Sequence, residues 1–189
     1  MKSETRKEEI IRIAARLFKE KGYSAVTMRD LAKAMGIKAA SLYNHINSKQ
    51  DILTEIIISL AEEFTEGMML IKRSNARSLD KLRQIISLHV RIAGMNTDGM
   101  ASLNNDWMHL KEKQSYYLKL RKDYEDNFRS IIKDGISEGE IAPLNPEIML
   151  FSILSTLRSL YIWIPDKDDV DPKELASELS MILLRGINR

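Results

Sequence analysis

There is no cysteine among the 189 residues, which excludes disulfides and thiolate metal sites and is compatible with a reduced cytoplasm, the expected location. There is also no glycine-rich phosphate loop, no paired spacing of zinc ligands and no nucleophile motif. The three histidines, His45, His89 and His109, are scattered. The chain therefore reads as neither an enzyme nor a metal or cofactor protein. Its N-terminus is charged and amphipathic, unlike a signal peptide. No internal repeat or low-complexity segment is visible. The most apolar run, residues 147 to 164, contains Arg158 and four Ser or Thr and stops at Pro165. A spanning helix wants ~20 apolar residues without charge, so this run reads as a buried helix and no membrane partner is expected.

What the sequence does have is a charge asymmetry. Residues 1 to 50 hold eleven Lys and Arg against five Asp and Glu, whereas the remainder holds eighteen against twenty-two. The overall +2 thus hides a basic N-terminal quarter, the electrostatic footprint of a nucleic-acid contact.

Within that quarter the pattern is helical. Ile10, Ile13, Ala14, Leu17 and Phe18 recur at helical spacing over residues 3 to 21, with Thr5 and Glu8, or Ser3, as the cap and Gly22 as the stop. Lys2, Arg6 and Lys7 are phosphate contacts or simply solvated charge. Thr27 with Asp30 reads as a capping box. Leu31, Ala32 and Met35 give the next helix its apolar face, and Gly36 suits a left-handed stop. Ile37 then drops into the core. A second short helix runs from Lys38 to His45, with Leu42 facing inward. This is the spacing of a DNA-binding helix-turn-helix, whose second helix enters the major groove. Lys38, Ala39, Ser41, Tyr43, Asn44 and His45 lie on the outward face of that helix and can reach base edges and phosphates.

The residues that follow carry a resemblance. Leu42-Tyr43-x-His45-Ile46-x-Ser48-Lys49-x-x-Ile52-Leu53 is similar to the stretch where tetracycline-repressor-type (TetR family) regulators pass from recognition helix to the next helix. The family usually shows Leu-Tyr-x-(Tyr/His)-Phe-x-(Ser/Asn)-Lys-Glu-x-Leu-Leu there. Ile46 replaces the usual Phe, and Gln50-Asp51 replaces the usual acidic pair. The resemblance is strong over residues 5 to 53 and weak beyond. It implies an all-α protein with a three-helix DNA-binding domain, residues 1–47, and a helical effector-binding and dimerisation domain, residues 48–189. It further implies a ligand-responsive repressor that binds a palindromic double-stranded operator as a homodimer. Carried across by position, Thr27, Tyr43 and Lys49 contact phosphate, and Arg29 joins them on the DNA face. Thr27 reads equally as a cap alone.

Beyond residue 47 the helical pattern continues. Asn47 or Ser48 caps a long helix to about 73, completed by Gln50 or Asp51; this helix is the natural lever between the two parts. Further helices are predicted at about 78–95, 98–111 and 114–137, then 147–164 behind the Asn145-Pro146 cap, and finally after Pro172. The last has Leu175, Leu179, Ile182, Leu183 and Ile187 on its apolar face. Two late helices with wide apolar faces suit a four-helix bundle across a two-fold axis, built from Phe151, Leu154, Leu157, Tyr161, Leu175, Leu179, Ile182 and Leu183. Phe64, His89, Trp107, Met108, Tyr117, Tyr124, Phe128 and Trp163 are the candidate lining of an effector cavity, or simply core. The tail Leu160-Tyr161-Ile162-Trp163-Ile164-Pro165-Asp166, then Pro172-x-Glu174-Leu175-Ala176, resembles a branch of the family that senses acyl-CoA thioesters in lipid or sterol breakdown. That implies a large, largely apolar effector, with Arg121 and Lys122 either partners for its charged end or surface charge. A lipophilic cation is the competing class. The alternative to a regulator is a helical protein-interaction module whose helix-turn-helix is structural only.

Overall fold

A computed structural model describes residues 4–167 and 169–185. Lys2, Ser3 and Ile187, for which roles are suggested above, lie outside the described residues. Ten α-helices and four short 3-10 turns account for the elements found, and no strand occurs among the described residues. The chain forms two compact units. One comprises residues up to Ala61 together with Asp98–Tyr117, and the other comprises Glu62–Thr97 with Leu118 onward.

The first unit begins with α1, Arg6–Lys21. Of the two candidate caps Thr5 is the one used: its Oγ1 accepts from the Glu8 N–H while Glu8 answers on the Thr5 N–H. Helix α2, Met28–Ala34, is opened the same way by Thr27 and Asp30. It ends where predicted, at Gly36 with φ +65°, and the Ile37 N–H closes the turn on the Ala32 carbonyl at 3.0 Å. Helix α3 is shorter than predicted. Only Ala39–Leu42 are α-helical, and Tyr43 to His45 continue as a turn. Lys38 offers no side-chain cap, and Asn44 and His45 are weak helix formers with nothing to pack against. Leu42 is fully buried and Ile46 is buried, while Ile37 is half-buried rather than fully inside. Helix α4, Lys49–Arg73, follows, and Ser48 rather than Asn47 caps it through the Asp51 N–H at 3.0 Å. Its residues to Ala61 belong to the first unit and those beyond to the second. Helix α6, Thr97–Asn105, also belongs to the first unit from Asp98 on. It stops earlier than predicted and gives way to 3-10 turns at Trp107–His109 and Lys111–Lys113.

The second unit is built on α5, Ser78–Met95, which packs against α8, Pro146–Arg158, α9, Leu160–Trp163, and α10, Pro172–Arg185. Helix α7, Gln114–Ser137, lies in this unit from Leu118 on. At Gly135 a Cβ would stand 2.7 Å from the Ser78 Cβ, so α5 and α7 approach through the missing side chain. The Asn145-Pro146 cap is as predicted, with the Glu147 N–H donating to Asn145 Oδ1 at 2.9 Å. The run predicted as one helix over 147–164 is instead two, interrupted at Ser159, and the Thr156 and Ser159 hydroxyls bond back to carbonyls four residues earlier.

That run is also less buried than predicted. By length and composition Pro146–Asp166 is long and apolar enough to cross a membrane, and 39% of the window is buried inside the chain. Met149, Leu150, Ile153, Leu154 and Leu157 face inward. Ile148, Phe151 and Ile162 face outward with Ser152 and Ser155.

Candidate functional site

The basic face of the first unit divides into cations that are held and cations that are free. Arg6 pairs with Glu9 at 2.6 Å and Lys7 with Glu55 at 3.0 Å, so neither stands ready for a phosphate. Among the described residues Arg29 and Lys38 have no carboxylate partner, and both are exposed. Ser41, Tyr43, Asn44 and His45 are exposed as well, and Ala39 is half-buried. The outward row proposed from the sequence is therefore assembled on one short surface, although half of it sits on a turn rather than a helix. The Thr27 hydroxyl donates to Asp30 at 2.6 Å and accepts from its N–H, so its first role is that of a cap. The bond from Thr27 keeps the Asp30 carboxyl below its usual range.

Lys49 does something the sequence did not reveal. Its ammonium donates to the carbonyls of Tyr23 at 2.8 Å, Val26 at 2.7 Å and Ser24 at 3.5 Å. It also lies 4.3 Å from the Tyr23 ring centre. All three carbonyls belong to the connection between α1 and α2, and burial lowers the Lys49 pKa. Around it the Tyr23 hydroxyl donates to Gln50 at 3.1 Å, Gln50 donates to the His109 carbonyl at 2.8 Å, and the His109 ring stacks on Tyr23 at 5.3 Å. Gln50 therefore braces this connection instead of completing the cap of α4. Burial, and then the Asp106 carboxylate, push the Tyr23 hydroxyl up. No local signal marks Gln50 and His109, because 59 positions separate them.

The residues suggested for an effector cavity fall into two groups. In the first unit, Trp107 stacks on the buried Tyr117 at 5.8 Å, and Met108 is exposed. In the second unit, Phe64, His89, Tyr124 and Phe128 form one buried cluster, and Trp163 is exposed. His89 Nε2 meets the Tyr124 hydroxyl at 2.8 Å, and Nδ1 has no partner among the described residues. Burial, and then the Arg158 guanidinium, pull the His89 pKa down to about 3. Burial drives the Tyr124 hydroxyl far up. Arg158 itself donates to Glu125 at 2.6 Å. Arg121 and Lys122 pair with Glu125 and Asp126 one turn along α7, which is surface ion pairing.

The buried histidine has a consequence for acid stability. In the unfolded chain His89 takes a proton near its ordinary value of 6.5, and in the folded chain it stays neutral to about 3. Stability is therefore complete above pH 6.5 and falls as the pH drops from there towards 3, by at most ~1.4 kcal/mol per unit. Denaturant melts at pH 7.5 and 5 are expected to differ by about 1–2 kcal/mol from this group. A His89→Gln variant, which keeps a partner for Tyr124 and does not titrate, is expected to lose that difference.

Of the residues suggested for dimerisation, Leu154, Leu157, Tyr161 and Leu175 are buried within their own chain. Leu179 and Leu183 are half-buried. Phe151 and Ile182 are about 70% exposed, at 70% and 69%, and Ile148, Ile162 and Met181 are exposed too. Both faces of α8 are apolar, and periodicity alone does not show which one turns inward.

Comparison with known proteins places this arrangement. The family model described as "Bacterial regulatory proteins, tetR family" matches residues 10–56, and "Tetracyclin repressor-like, C-terminal domain" matches residues 75–187. The chain belongs to the TetR family of transcriptional regulators. It is thus a DNA-binding, all-α regulator and not an enzyme. The HTH-type transcriptional repressor KstR2 of Rhodococcus jostii is 24% identical over 96% of this chain and 91% of its own length. The structure of the ketosteroid transcriptional regulator KstR2 of Mycobacterium tuberculosis superposes with a TM-score of 0.92 at 22% identity, over 100% of this TetR-family chain and 97% of that one. The structure of AibR in complex with isovaleryl coenzyme A and operator DNA gives a TM-score of 0.75 at 21% identity, over 94% and 97%.

Proposed function

We propose that this regulator is a cytoplasmic repressor that binds a palindromic operator as a homodimer and leaves it on binding an acyl-thioester effector. The observation that carries the DNA half of this reading is the exposed row Lys38, Ser41, Tyr43, Asn44 and His45 beside the unpaired Arg29. These are polar groups without internal duties on the most basic part of the chain. Two such rows, one per subunit, read half-sites about one helical turn apart, ~34–36 Å. The dimer half rests on the exposed apolar side chains of Ile148, Phe151, Ile162, Met181 and Ile182 in the second unit. The effector class is supported by the likeness to AibR, whose structure holds isovaleryl coenzyme A together with operator DNA. An effector that prefers the non-binding arrangement draws the dimer off DNA by its differential affinity.

Base reading is assigned to Asn44, whose amide matches the donor and acceptor of adenine. Asn44→Ala is expected to relax sequence preference at one operator position by about 1–3 kcal/mol, with overall affinity for random duplex nearly unchanged. Competition binding with single-position operator variants checks this. An unchanged preference removes the assignment. Binding that fails to weaken steeply with salt speaks against DNA recognition by this face at all. For the effector, a thermal-shift screen of acyl-CoAs against cationic dyes separates the two ligand classes, and a response to dyes alone overturns the acyl-thioester reading.

A further inference from the structure

The turn Trp107–His109 falls within residues 75–187, the stretch matched by the C-terminal family model. The fold nevertheless puts it in the first unit, together with the helix-turn-helix. Contacts with α1, with the α1–α2 connection and with α4 hold it there. Lys19 of α1 pairs with Asp98 at the start of α6 at 3.0 Å. The His109 ring stacks on Tyr23 at 5.3 Å. Gln50 of α4 donates to the His109 carbonyl at 2.8 Å and accepts from the Tyr23 hydroxyl at 3.1 Å.

Gln50 thus joins the turn Trp107–His109 to the 3-10 turn Tyr23–Ala25. The chemistry is particular to an amide. Its oxygen serves the Tyr23 hydroxyl and its nitrogen serves the His109 carbonyl. A carboxylate can do only the first, and a thioether does neither well. The turn itself is short. It is closed by the His109 N–H on the Asp106 carbonyl at 2.8 Å and the Leu110 N–H on the Trp107 carbonyl at 3.2 Å. Lys111, two residues past His109, stands at φ +48°. That left-handed conformation is costly for an L side chain and persists where the surroundings impose it. The segment is therefore held in place, not slack.

From Tyr23 the path to the DNA face is short. The Tyr23 ring meets Phe18 edge-on at 5.1 Å, the Lys49 ammonium at 4.3 Å and the His109 ring. Buried Val26 follows, and Thr27 then opens α2, which carries Arg29 and packs on α3. The place of Tyr23 therefore sets the place of α2 beside the row from Lys38 to His45. We infer that Gln50 is a positioning residue for operator binding, fastening the turn Trp107–His109 to Tyr23 so that Thr27 and α2 keep their place. This rests on the reading of the row from Lys38 to His45 as the DNA surface.

The test is DNA binding by the full-length protein and three variants: Gln50→Met, Tyr23→Phe and the two together. The probe is a labelled duplex that the parent protein enriches from a random pool. Affinity is measured at a temperature where circular dichroism shows every variant fully folded. Gln50→Met is expected to weaken binding by roughly tenfold and Tyr23→Phe by roughly threefold. The double variant is expected to bind no more weakly than Gln50→Met, because both changes cut one linkage. The dependence of affinity on salt is expected to match the parent's, because no phosphate contact is lost. If Gln50→Met lowers the melting temperature and leaves the affinity unchanged, the residue is merely structural and the assignment is overturned. Losses that add in the double variant overturn it too, since Gln50 then does not act through Tyr23. A changed salt dependence moves the loss to the phosphate contacts, with the same consequence. If the parent enriches no duplex, the reading of the DNA surface fails and the assignment fails with it.

Discussion

Replacing Phe151 and Ile182 by Glu is expected to turn a dimer into a monomer. Both side chains are about 70% exposed on a single chain, and Ile148, Ile162 and Met181 are exposed as well. A two-fold interface contains each position twice, so the double variant removes four large apolar contacts and adds four carboxylates. At ~1.5 kcal/mol or more per buried side chain, the dimer loses on the order of 6 kcal/mol or more before desolvation of the carboxylates is counted. That corresponds to ~10⁴-fold or more in dimerisation. Neither residue is core, so helix content is expected to stay the same. Sedimentation equilibrium with circular dichroism reads both quantities. Affinity for a palindromic duplex is expected to fall with the dimer, while contacts to a single half-site persist weakly. A double variant that remains dimeric would show that the subunits meet elsewhere.

The second large effect is expected at Lys49. Met at this position keeps the stem and removes the ammonium, leaving the carbonyls of Tyr23, Ser24 and Val26 without their donor. The loss is ~1–3 kcal/mol, which for a chain of this size lowers the melting temperature by several degrees, ~4–8 °C for 2 kcal/mol. DNA affinity is expected to fall for all sequences alike, because Thr27 and α2 hang from the connection that Lys49 holds. The salt dependence separates this bracing role from the direct phosphate contact implied by family resemblance. A lost phosphate contact lowers the slope of log affinity against log salt by about one. A lost brace lowers the affinity and the melting temperature together and leaves the slope as it was. The hydrogen bonds of Lys49 favour the second outcome.

What was legible in the sequence was local. The caps Thr5–Glu8, Thr27–Asp30 and Asn145-Pro146 depend on residues three positions apart or fewer, and the stop at Gly36 depends on one residue that tolerates φ +65°. The helix-turn-helix is made of such signals, and Lys38, Ser41, Tyr43, Asn44 and His45 are exposed on it. What was not legible depends on distant partners. Position alone assigns Lys49 to phosphate, because nothing nearby in sequence shows that three carbonyls 23 to 26 residues earlier converge on it. The apolar positions of α8 occupy both of its faces, so the pattern does not show that Leu154 and Leu157 are buried in their own chain's core. Trp107 and Tyr117 fall in one compact unit and His89 and Tyr124 in the other, a division that composition does not reveal. The early end of α3 follows from weak helix formers on an exposed surface, a balance too fine for the apolar pattern to settle.

The most direct test of the account is selection of bound sequences from a random duplex pool, done at low salt without ligand. The account predicts enrichment of an inverted repeat whose half-sites are centred about one helical turn apart. It also predicts that the enriched sequences are released when the acyl-thioester effector is added. Enrichment of a single half-site, or none at all, would contradict a dimeric operator-binding repressor.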